Sequence, residues 1–197
     1  MTTAVLREGR SVLQEFVAGE FGHTLQEFRA RHPHPFLLLQ SGQACGANDT
    51  SFHTAFTAEE RTVRSPRPSR ARAARDAEAS VRELLVPVAR RPASPFVGKV
   101  TVGRASNNDV RLPFEQVSKL HAWFVEPSGG GGFALVEAGS TNGTTLNTVA
   151  LAPGMPVDVR DGDEIDFGGG LPFTFYTPEG LHRCLPLLAR QLRQVCR

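Results

Sequence analysis

Short runs of alternating apolar and polar residues extend from about residue 84 to residue 176. The apolar residues recur at every second position, as in Val100 and Val102 or Ile165 and Phe167, which is the period of a strand with one buried face. The runs are separated by Gly-, Asn-, Asp- or Pro-containing breaks, which favour turns, at 107–109, 129–132, 141–143, 153–154 and 161–163. This pattern predicts an all-β fold, an antiparallel sandwich of roughly nine or ten strands.

Helical periodicity appears before this region. Apolar residues between Val5 and Val17 fall on one side of a 3.6-residue period, and Phe21, Leu25 and Phe28 repeat the spacing, so two short amphipathic helices are predicted. The two prolines at 33 and 35 should end the second helix. Phe36 to Leu39 then forms either a short buried strand or a segment that covers the core of the later domain.

A third helix is predicted at the C-terminus. Thr177-Pro178-Glu179 combines a capping hydroxyl, a proline at the first helical position and an acid in the first turn, which together favour a helix start. Pro186 should kink or divide this helix. Its apolar stripe consists of Leu181, Leu185, Leu188, Leu192 and Val195.

Residues 57–82 have no hydrophobic periodicity and are rich in Arg, Pro and Ser. Such a composition buries too little apolar area to order itself, so we interpret this stretch as a linker. The chain is thereby divided into an N-terminal helical segment with a short strand (1–56), the linker (57–82), the β-domain (83–177) and a C-terminal amphipathic helix (178–197).

Charge and cysteine content narrow the classes of partner. Residues 61–91 carry nine Arg against three acidic residues, but no aromatic residues are interleaved between Arg61 and Arg75, so a solvated linker is favoured over a nucleic-acid-binding arm. No signal peptide, membrane span or CxxC pair is evident, and we expect a cytoplasmic protein. Twenty Arg against two Lys indicates a GC-rich bacterial genome.

Three segments of the β-domain supply groups suited to a phosphorylated peptide. Arg104 provides a guanidinium, Ser118 a hydroxyl, Lys119 an amine and Asn142 a side-chain amide. A phosphothreonine brings nearly two negative charges and acceptor oxygens, which need charge-assisted donors on a rigid scaffold. Strand ends and turns are where a β-sandwich presents such residues.

The same segments carry a family resemblance. The β-domain resembles a forkhead-associated (FHA) domain, a phosphothreonine-peptide-binding β-sandwich, over residues 97–177. The elements of the FHA pattern follow one another in the expected order, at Gly103-Arg104, Asn108-Asp109, Ser118 to His121, Ser140 to Gly143, and Gly162-Asp163.

The resemblance implies roles for individual residues. Arg104 and Ser118 would bind the phosphate, Lys119 and Thr141 would line the pocket, and Asn142 would bond the peptide main chain. Gln116 would lie near the peptide residue three positions after the phosphothreonine. Gly103 and Gly143 would allow turn conformations, and His121 would support the loops from within.

Simpler interpretations stand beside these roles. Singly, Arg104 is an ordinary surface arginine, Ser118 a capping serine and Lys119 a solvated charge. His121 alternates with Trp123 and Val125, which favours a core histidine over a catalytic one. The histidines and Cys45 near the N-terminus match no common zinc or nucleophile pattern, and the glycine run at 129–132 lacks the residues of a P-loop.

We therefore predict a non-enzymatic phosphothreonine-peptide-binding adaptor that acts downstream of a Ser/Thr kinase, without cofactor or metal and without membrane contact. Two alternatives remain: an oligomeric scaffold whose contacts come from residues 4–40 or 181–197, and a regulator whose basic linker contacts nucleic acid. A further hypothesis is that phosphorylation of Thr57 or Thr62 creates a ligand for the domain itself.

Overall fold

The computed structural model describes residues 12–40, 83–92, 94–125 and 132–195. The predicted linker at 57–82 lies outside these residues. The described elements are α1 (Val12–Glu20), α2 (Leu25–Arg31), β1 (Phe36–Gln40), β2 (Glu83–Pro87), β3 (Lys99–Gly103), β4 (Val110–Arg111), β5 (Ala122–Val125), β6 (Phe133–Glu137), β7 (Thr144–Leu146), β8 (Val149–Ala150), β9 (Pro156–Val159), β10 (Glu164–Phe167), β11 (Pro172–Tyr176) and α3 (Pro178–Val195).

The strands form two sheets packed face to face. One has six strands in the order β2-β1-β11-β10-β7-β8, and the other has five in the order β4-β3-β5-β6-β9. Neighbouring strands in the described residues are antiparallel except β3 and β4, which are parallel. The predicted β-sandwich with flanking helices is confirmed, and ten of the described strands lie between residues 83 and 176.

The core between the sheets is built from alternate residues of both. Val102, Phe124 and Leu135 of the five-stranded sheet meet Ile165 and Phe175 of the six-stranded sheet, and all are fully buried. The rings of Phe124 and Phe175 stack with centroids 5.7 Å apart. Every second residue of these strands points into the core, which is why apolar residues alternate with polar ones along the sequence.

Strand β1 lies within the six-stranded sheet, although the sequence places it before the linker. It pairs with β11, as in Leu39 opposite Phe173, and with β2, where Gln40 is opposite Glu83. Leu37 and Leu39 contribute to the inter-sheet core, whereas Phe36 and Leu38 belong to a second core on the opposite face. Of the two interpretations of this segment, the structure shows the strand.

The second core joins the helices to the sandwich. Val17 of α1, Phe28 of α2 and Leu185 of α3 are buried together with Phe36, Leu38, Leu85 and Tyr176 of the six-stranded sheet. The N-terminal helices and the C-terminal helix therefore form a third layer that covers the outer face of β1, β2 and β11.

Side-chain caps define where α2 and α3 begin. Thr24 and Glu27 form a reciprocal capping box at α2, which satisfies two backbone donors of the first turn. At α3 the Thr177 hydroxyl accepts the N–H of Gly180 at 3.2 Å and donates to Asp161 at 2.9 Å. The start of α3 is thus bonded to the turn between β9 and β10.

The ends of the helices test two proline predictions. Helix α2 stops at Arg31, just before the His32-Pro33 pair, as expected. Helix α3 continues through Pro186 as one helix, so of the two predicted effects, a kink or a division, the division is wrong. Proline removes only one backbone hydrogen bond, and Leu185 and Leu188 on either side of it are buried, so packing keeps the helix whole. No helix in the described ranges is long and apolar enough to span a membrane.

Candidate functional site

The predicted site residues meet at one end of the sandwich. They lie in three loops, which connect β3 to β4, β4 to β5, and β6 to β7. All three loops lie at the same end of the sandwich, because β3 and β6 end there and β5 and β7 begin there. The loops carry Arg104, Gln116, Ser118, Lys119, Thr141, Asn142 and Gly143.

Arg104 is exposed and is held by the neighbouring loop. Its Nε donates to the carbonyl of Val117 at 3.1 Å, and its backbone N–H donates to the carbonyl of Ser118 at 2.9 Å. This contact orients the guanidinium through Nε, so its two terminal nitrogens keep their capacity to donate in a fork. A fork of this kind matches the oxygens of a phosphate.

Ser118 and Thr141 join the second and third loops. The Ser118 hydroxyl accepts the backbone N–H of Thr141 at 3.0 Å and lies 3.3 Å from the Thr141 hydroxyl oxygen, to which it donates. Both side chains lie close to the surface. The O–H of Thr141 is not used in these two contacts, whereas the single O–H of Ser118 donates to Thr141 and must turn away from it to reach a ligand. An anion placed beside them would meet two hydroxyls on a preformed bridge.

Lys119 is exposed, while its backbone is fixed. The Lys119 carbonyl accepts hydrogen bonds from the N–H of Ala105 at 3.2 Å and from Asn108 Nδ2 at 2.6 Å. Asn108 is buried and also donates to the carbonyl of Ala105 at 3.0 Å. One side-chain amide therefore ties the loop of Arg104 to the loop of Lys119.

The two site glycines serve different purposes. A Cβ on Gly103 would lie 2.8 Å from Asn108 Nδ2 and still closer to the Lys119 carbonyl, so this position requires glycine for close packing. The backbone of Gly143 has a φ of 78°, a left-handed conformation that glycine adopts without strain. The turn role predicted for both glycines fits the geometry of Gly143 alone.

Asn142 and Gln116 are linked across two loops. Asn142 Nδ2 donates to the backbone carbonyl of Gln116 at 2.9 Å. The contact uses one N–H of the amide, and the second N–H and Oδ1 have the chemistry to bond an extended backbone. Gln116 thus contributes its carbonyl to the site, in addition to any contact that its side chain makes with a ligand.

His121 is fully buried beneath the loops. Its Nδ1 accepts the backbone N–H of Ser118 at 3.0 Å, so Nε2 carries the proton and donates to the carbonyl of Gly143 at 3.0 Å. Burial lowers the pKa of His121, against the raising effects of the Gly143 carbonyl and of nearby Glu137 and Asp166. The neutral imidazole therefore connects two site loops.

The residues of β5 that are buried differ from those that the sequence predicted. Ala122 and Phe124 are the buried residues of β5, whereas Trp123 and Val125 are only partly buried. Lys99 Nζ lies 4.3 Å from the centroid of the Trp123 ring on the outer face of the sheet. His121 precedes the strand, so its burial comes from the loops and not from the alternation that the sequence suggested.

Two carboxylates hold the loops from inside. Buried Glu137 accepts the N–H of Gly139 at 2.7 Å and of Ser140 at 2.6 Å. Burial raises the pKa of Glu137, but its contacts with Ser140 and Gly139 outweigh this, so the pKa lies below its ordinary value. The Glu137 side chain therefore binds the backbone of the loop that carries Ser140.

Asp109 is the second of these carboxylates. It accepts the N–H of Arg91 and, at 2.9 Å each, the N–H and hydroxyl of Thr101, together with the hydroxyl of Ser94. Burial raises the pKa of Asp109, and these hydrogen bonds lower it further than burial raises it. This explains the structural role of the Asn108-Asp109 pair.

Sequence reasoning missed a fourth loop, between β10 and β11. Gly168, Gly169 and Gly170 all have positive φ, and the carboxylate of Asp166 accepts N–H groups from Gly169 and Gly170 at 2.9 and 2.7 Å. The Gly168 N–H donates to the carbonyl of Gly143 at 3.1 Å. The signal was the glycine run itself, which directly follows the alternation of Ile165 and Phe167.

The family comparison agrees with this architecture. The family model described as "FHA domain" matches residues 100–168. The sandwich is thus of the FHA type, and the matched residues, which contain the three loops, form an FHA domain. The match begins after β2 and ends before β11. None of the curated proteins compared with the chain matches it.

Several solved structures are similar to part of the chain. Mycobacterium tuberculosis EmbR in complex with a low-affinity phosphopeptide is 25% identical, with a TM-score of 0.38, over 50% of this chain and 22% of that one. The N-terminal FHA domain of S. cerevisiae Rad53p, in complex with a phosphothreonine peptide, is 21% identical, with a TM-score of 0.41, over 51% and 89%. The FHA domain of an Arabidopsis thaliana hypothetical protein is 26% identical, with a TM-score of 0.40, over 47% and 73%. The chain thus spans about a fifth of the length of EmbR.

Proposed function

We propose that the loop end of the sandwich binds peptides that contain phosphothreonine. One observation supports this most strongly. Arg104, Ser118 and Thr141 lie together at one exposed end of the sandwich, where hydrogen bonds within the chain already hold them in place. Such prearranged donors reduce the entropy cost of capturing a dianion. The match to the FHA domain family over these loops adds independent support.

The proposed roles divide the site into two parts. Arg104, Ser118 and Thr141 contact the phosphate, and Lys119 adds electrostatic attraction from the same loop. Asn142, next to the Gln116 carbonyl at 2.9 Å, bonds the backbone of the peptide. His121 and Gly103 support these residues and do not contact the ligand.

We further propose that the protein is an interaction module that acts after a Ser/Thr kinase, and not an enzyme. The groups of the site donate hydrogen bonds and charge, which suits capture of a product of phosphorylation. His121 is buried and both of its ring nitrogens are used in the scaffold. It is therefore badly placed to act as a general base.

The scaffold alternative loses one of its candidate surfaces. It placed the contacts in residues 4–40 or 181–197. Leu181, Leu185, Leu188 and Leu192 are buried against the sandwich and the other helices. This apolar stripe is used inside the chain, so the same residues are not available to hold a partner.

The experiment is a fluorescence-anisotropy titration of the full chain with a phosphothreonine peptide library, followed by the best peptide in its unphosphorylated form. We expect Arg104→Ala to weaken binding about tenfold to a hundredfold, the cost of a charge-assisted hydrogen bond. Arg160→Ala is the matched control, because Arg160 is an exposed arginine at the opposite end of the sandwich. Equal binding by the two variants, or equal binding of both peptide forms, would reject the function.

Thr57 and Thr62 lie outside the described residues, and their phosphorylation stays a prediction. Mass spectrometry of protein purified from its native cell tests it directly. Detection of neither phosphorylated residue, after activation of the kinases of that cell, would count against it.

A further inference from the structure

The β10–β11 turn contacts the site at Gly168. Gly168 has a φ of 97°, and a Cβ at this position would lie 3.0 Å from the carbonyl carbon of Gln116 and closer still to its oxygen. That oxygen is the acceptor for Asn142 Nδ2. Any side chain on Gly168 would therefore displace the carbonyl that orients Asn142.

The turn is itself rigidly held. The Asp166 carboxylate accepts the N–H groups of Gly169, Gly170 and Leu171 at distances from 2.7 to 3.3 Å. The N–H of Gly168 donates at 3.1 Å to the Gly143 carbonyl, which His121 also contacts. Gly168 is thus the point where the fourth loop packs against the loops of Gln116 and Gly143.

These contacts support the part of the site that is proposed to bond the peptide backbone. The supports of Arg104 and Lys119 run through Val117, Asn108 and the close packing at Gly103. The support of Asn142 runs through Gln116 to Gly168. The two sets are carried by different residues, but they are connected by the peptide bond between Gln116 and Val117, and by the Gly143 carbonyl through His121 to Ser118. A Cβ on Gly168 meets the Gln116 carbonyl directly, so it acts on Asn142 first.

We propose that Gly168, anchored by Asp166, is a positioning residue for Asn142, so that it sets the affinity for the peptide backbone separately from the affinity for the phosphate. The inference rests on the proposed function of the site. It assigns to the β10–β11 turn a part in ligand binding without direct contact with the ligand.

The chain offers a matched pair of variants to test this. Gly168→Ala and Gly169→Ala both introduce a Cβ at positive φ, 97° and 84°, but the Cβ of the second meets no atom within 4 Å. The backbone strain is therefore similar, and only the first variant pushes on Gln116. Thermal unfolding followed by circular dichroism reports the strain in each.

Two ligands distinguish the phosphate-binding part of the site from the part that bonds the peptide backbone. A phosphothreonine peptide uses both, whereas inorganic phosphate, titrated by NMR, uses only the half of Arg104 and Ser118. We expect Gly168→Ala to weaken peptide binding about tenfold relative to Gly169→Ala, the worth of about one hydrogen bond. Phosphate binding should agree within about twofold for the two variants, and only Gly168→Ala should shift the Asn142 side-chain amide resonance.

A second variant keeps the test decisive if Gly168→Ala does not fold. Asp166→Ala removes the anchor of the turn without adding any atom, and it should weaken peptide binding while phosphate binding is retained. Equal peptide affinity of Gly168→Ala and Gly169→Ala, or parallel loss of peptide and phosphate in Asp166→Ala, would overturn the inference. Failure of the unaltered protein to bind any phosphopeptide would instead reject the proposed function, and the Asn142 resonance would still report whether Gly168 positions that side chain.

Discussion

The Nδ1 atom of His121 accepts the backbone N–H of Ser118 at 3.0 Å, so the loop that carries the proposed phosphate-binding hydroxyl is bonded to an unprotonated ring nitrogen. Protonation of Nδ1 would replace this acceptor by a donor that faces another donor. The integrity of the loop is therefore linked to the protonation state of one buried residue.

The first prediction is that stability falls on mild acidification because of His121. Burial lowers its pKa in the folded chain, so the unfolded chain takes up the proton first, near its ordinary pKa of 6.5. Stability is then full above pH 6.5 and declines as the pH falls from there towards the lowered pKa of the folded state, by at most about 1.4 kcal/mol per pH unit. Urea unfolding at pH 7.5, 6.5 and 5.5 measures the slope.

The control for this prediction is His121→Gln, which lacks the titrating ring. The lowered pKa values of Asp109 and Glu137 contribute stability that is lost only as the pH falls below their ordinary values of 3.8 and 4.5, outside this window. An identical pH slope in the variant and the unaltered protein would show that other groups cause the decline.

The second prediction concerns close packing at Gly103. Gly103→Ala should force apart the Lys119 carbonyl and Asn108, with a loss of about 1–3 kcal/mol in the free energy of unfolding and a clear loss of phosphopeptide binding. Chemical denaturation and anisotropy measure the two effects. Gly19→Ala is a suitable control, because a Cβ on Gly19 in α1 meets no atom within 4 Å, and it should cost nothing in either measurement.

The third prediction tests the helical layer. Leu185→Ala should lower the free energy of unfolding by about 2–5 kcal/mol because it opens a cavity against the sheet. Leu187→Ala, on the same helix, should change it by less than about 0.5 kcal/mol, because Leu187 is 40% exposed and Leu185 only 3%. Equal losses in denaturant titrations of the two variants would mean that α3 does not pack on the sandwich as described.

The fourth prediction uses the two lysines of the chain. Lys119→Gln should weaken phosphopeptide binding about threefold to tenfold at low salt, and the difference should shrink as ionic strength rises, because exposed charges are screened. Lys99→Gln removes the other lysine, which lies over Trp123 on the outer face of the sheet, and should leave affinity unchanged. A salt-independent loss at Lys119 would point to a structural role instead.

The sandwich and the grouping of the site residues were accessible from the sequence for a physical reason. Alternation is a local property. A pair such as Val100 and Val102, or Ile165 and Phe167, therefore predicts a strand even when the neighbouring strand in the sheet is unknown. The loops that carry Arg104, Ser118 and Asn142 lie between such strands. Their order along the chain resembles the FHA pattern, and that resemblance, rather than alternation alone, predicted that they meet at one end of the sandwich.

Features that depend on distant pairing were not accessible in this way. Nothing in residues 36–40 specifies that they pair with residues 172–176, and the buried stripe of α3 gives no sign of which surface it covers. The prediction that His121 shares a buried strand face with Trp123 and Val125 was wrong for a related reason, because burial by loops does not follow strand periodicity. Gly168 escaped notice because its importance lies in contact with Gln116, which is remote in sequence.

The pairing of Phe36 with Tyr176 has a consequence for the order of folding during synthesis. Strand β1 leaves the ribosome early, but its partner β11 is made only after nearly all of the sandwich. At ordinary rates of translation the delay is on the order of ten seconds, during which β1 can pair with β2 but not with β11. The six-stranded sheet is therefore completed only after β11 has been made, because β1 lies between β2 and β11.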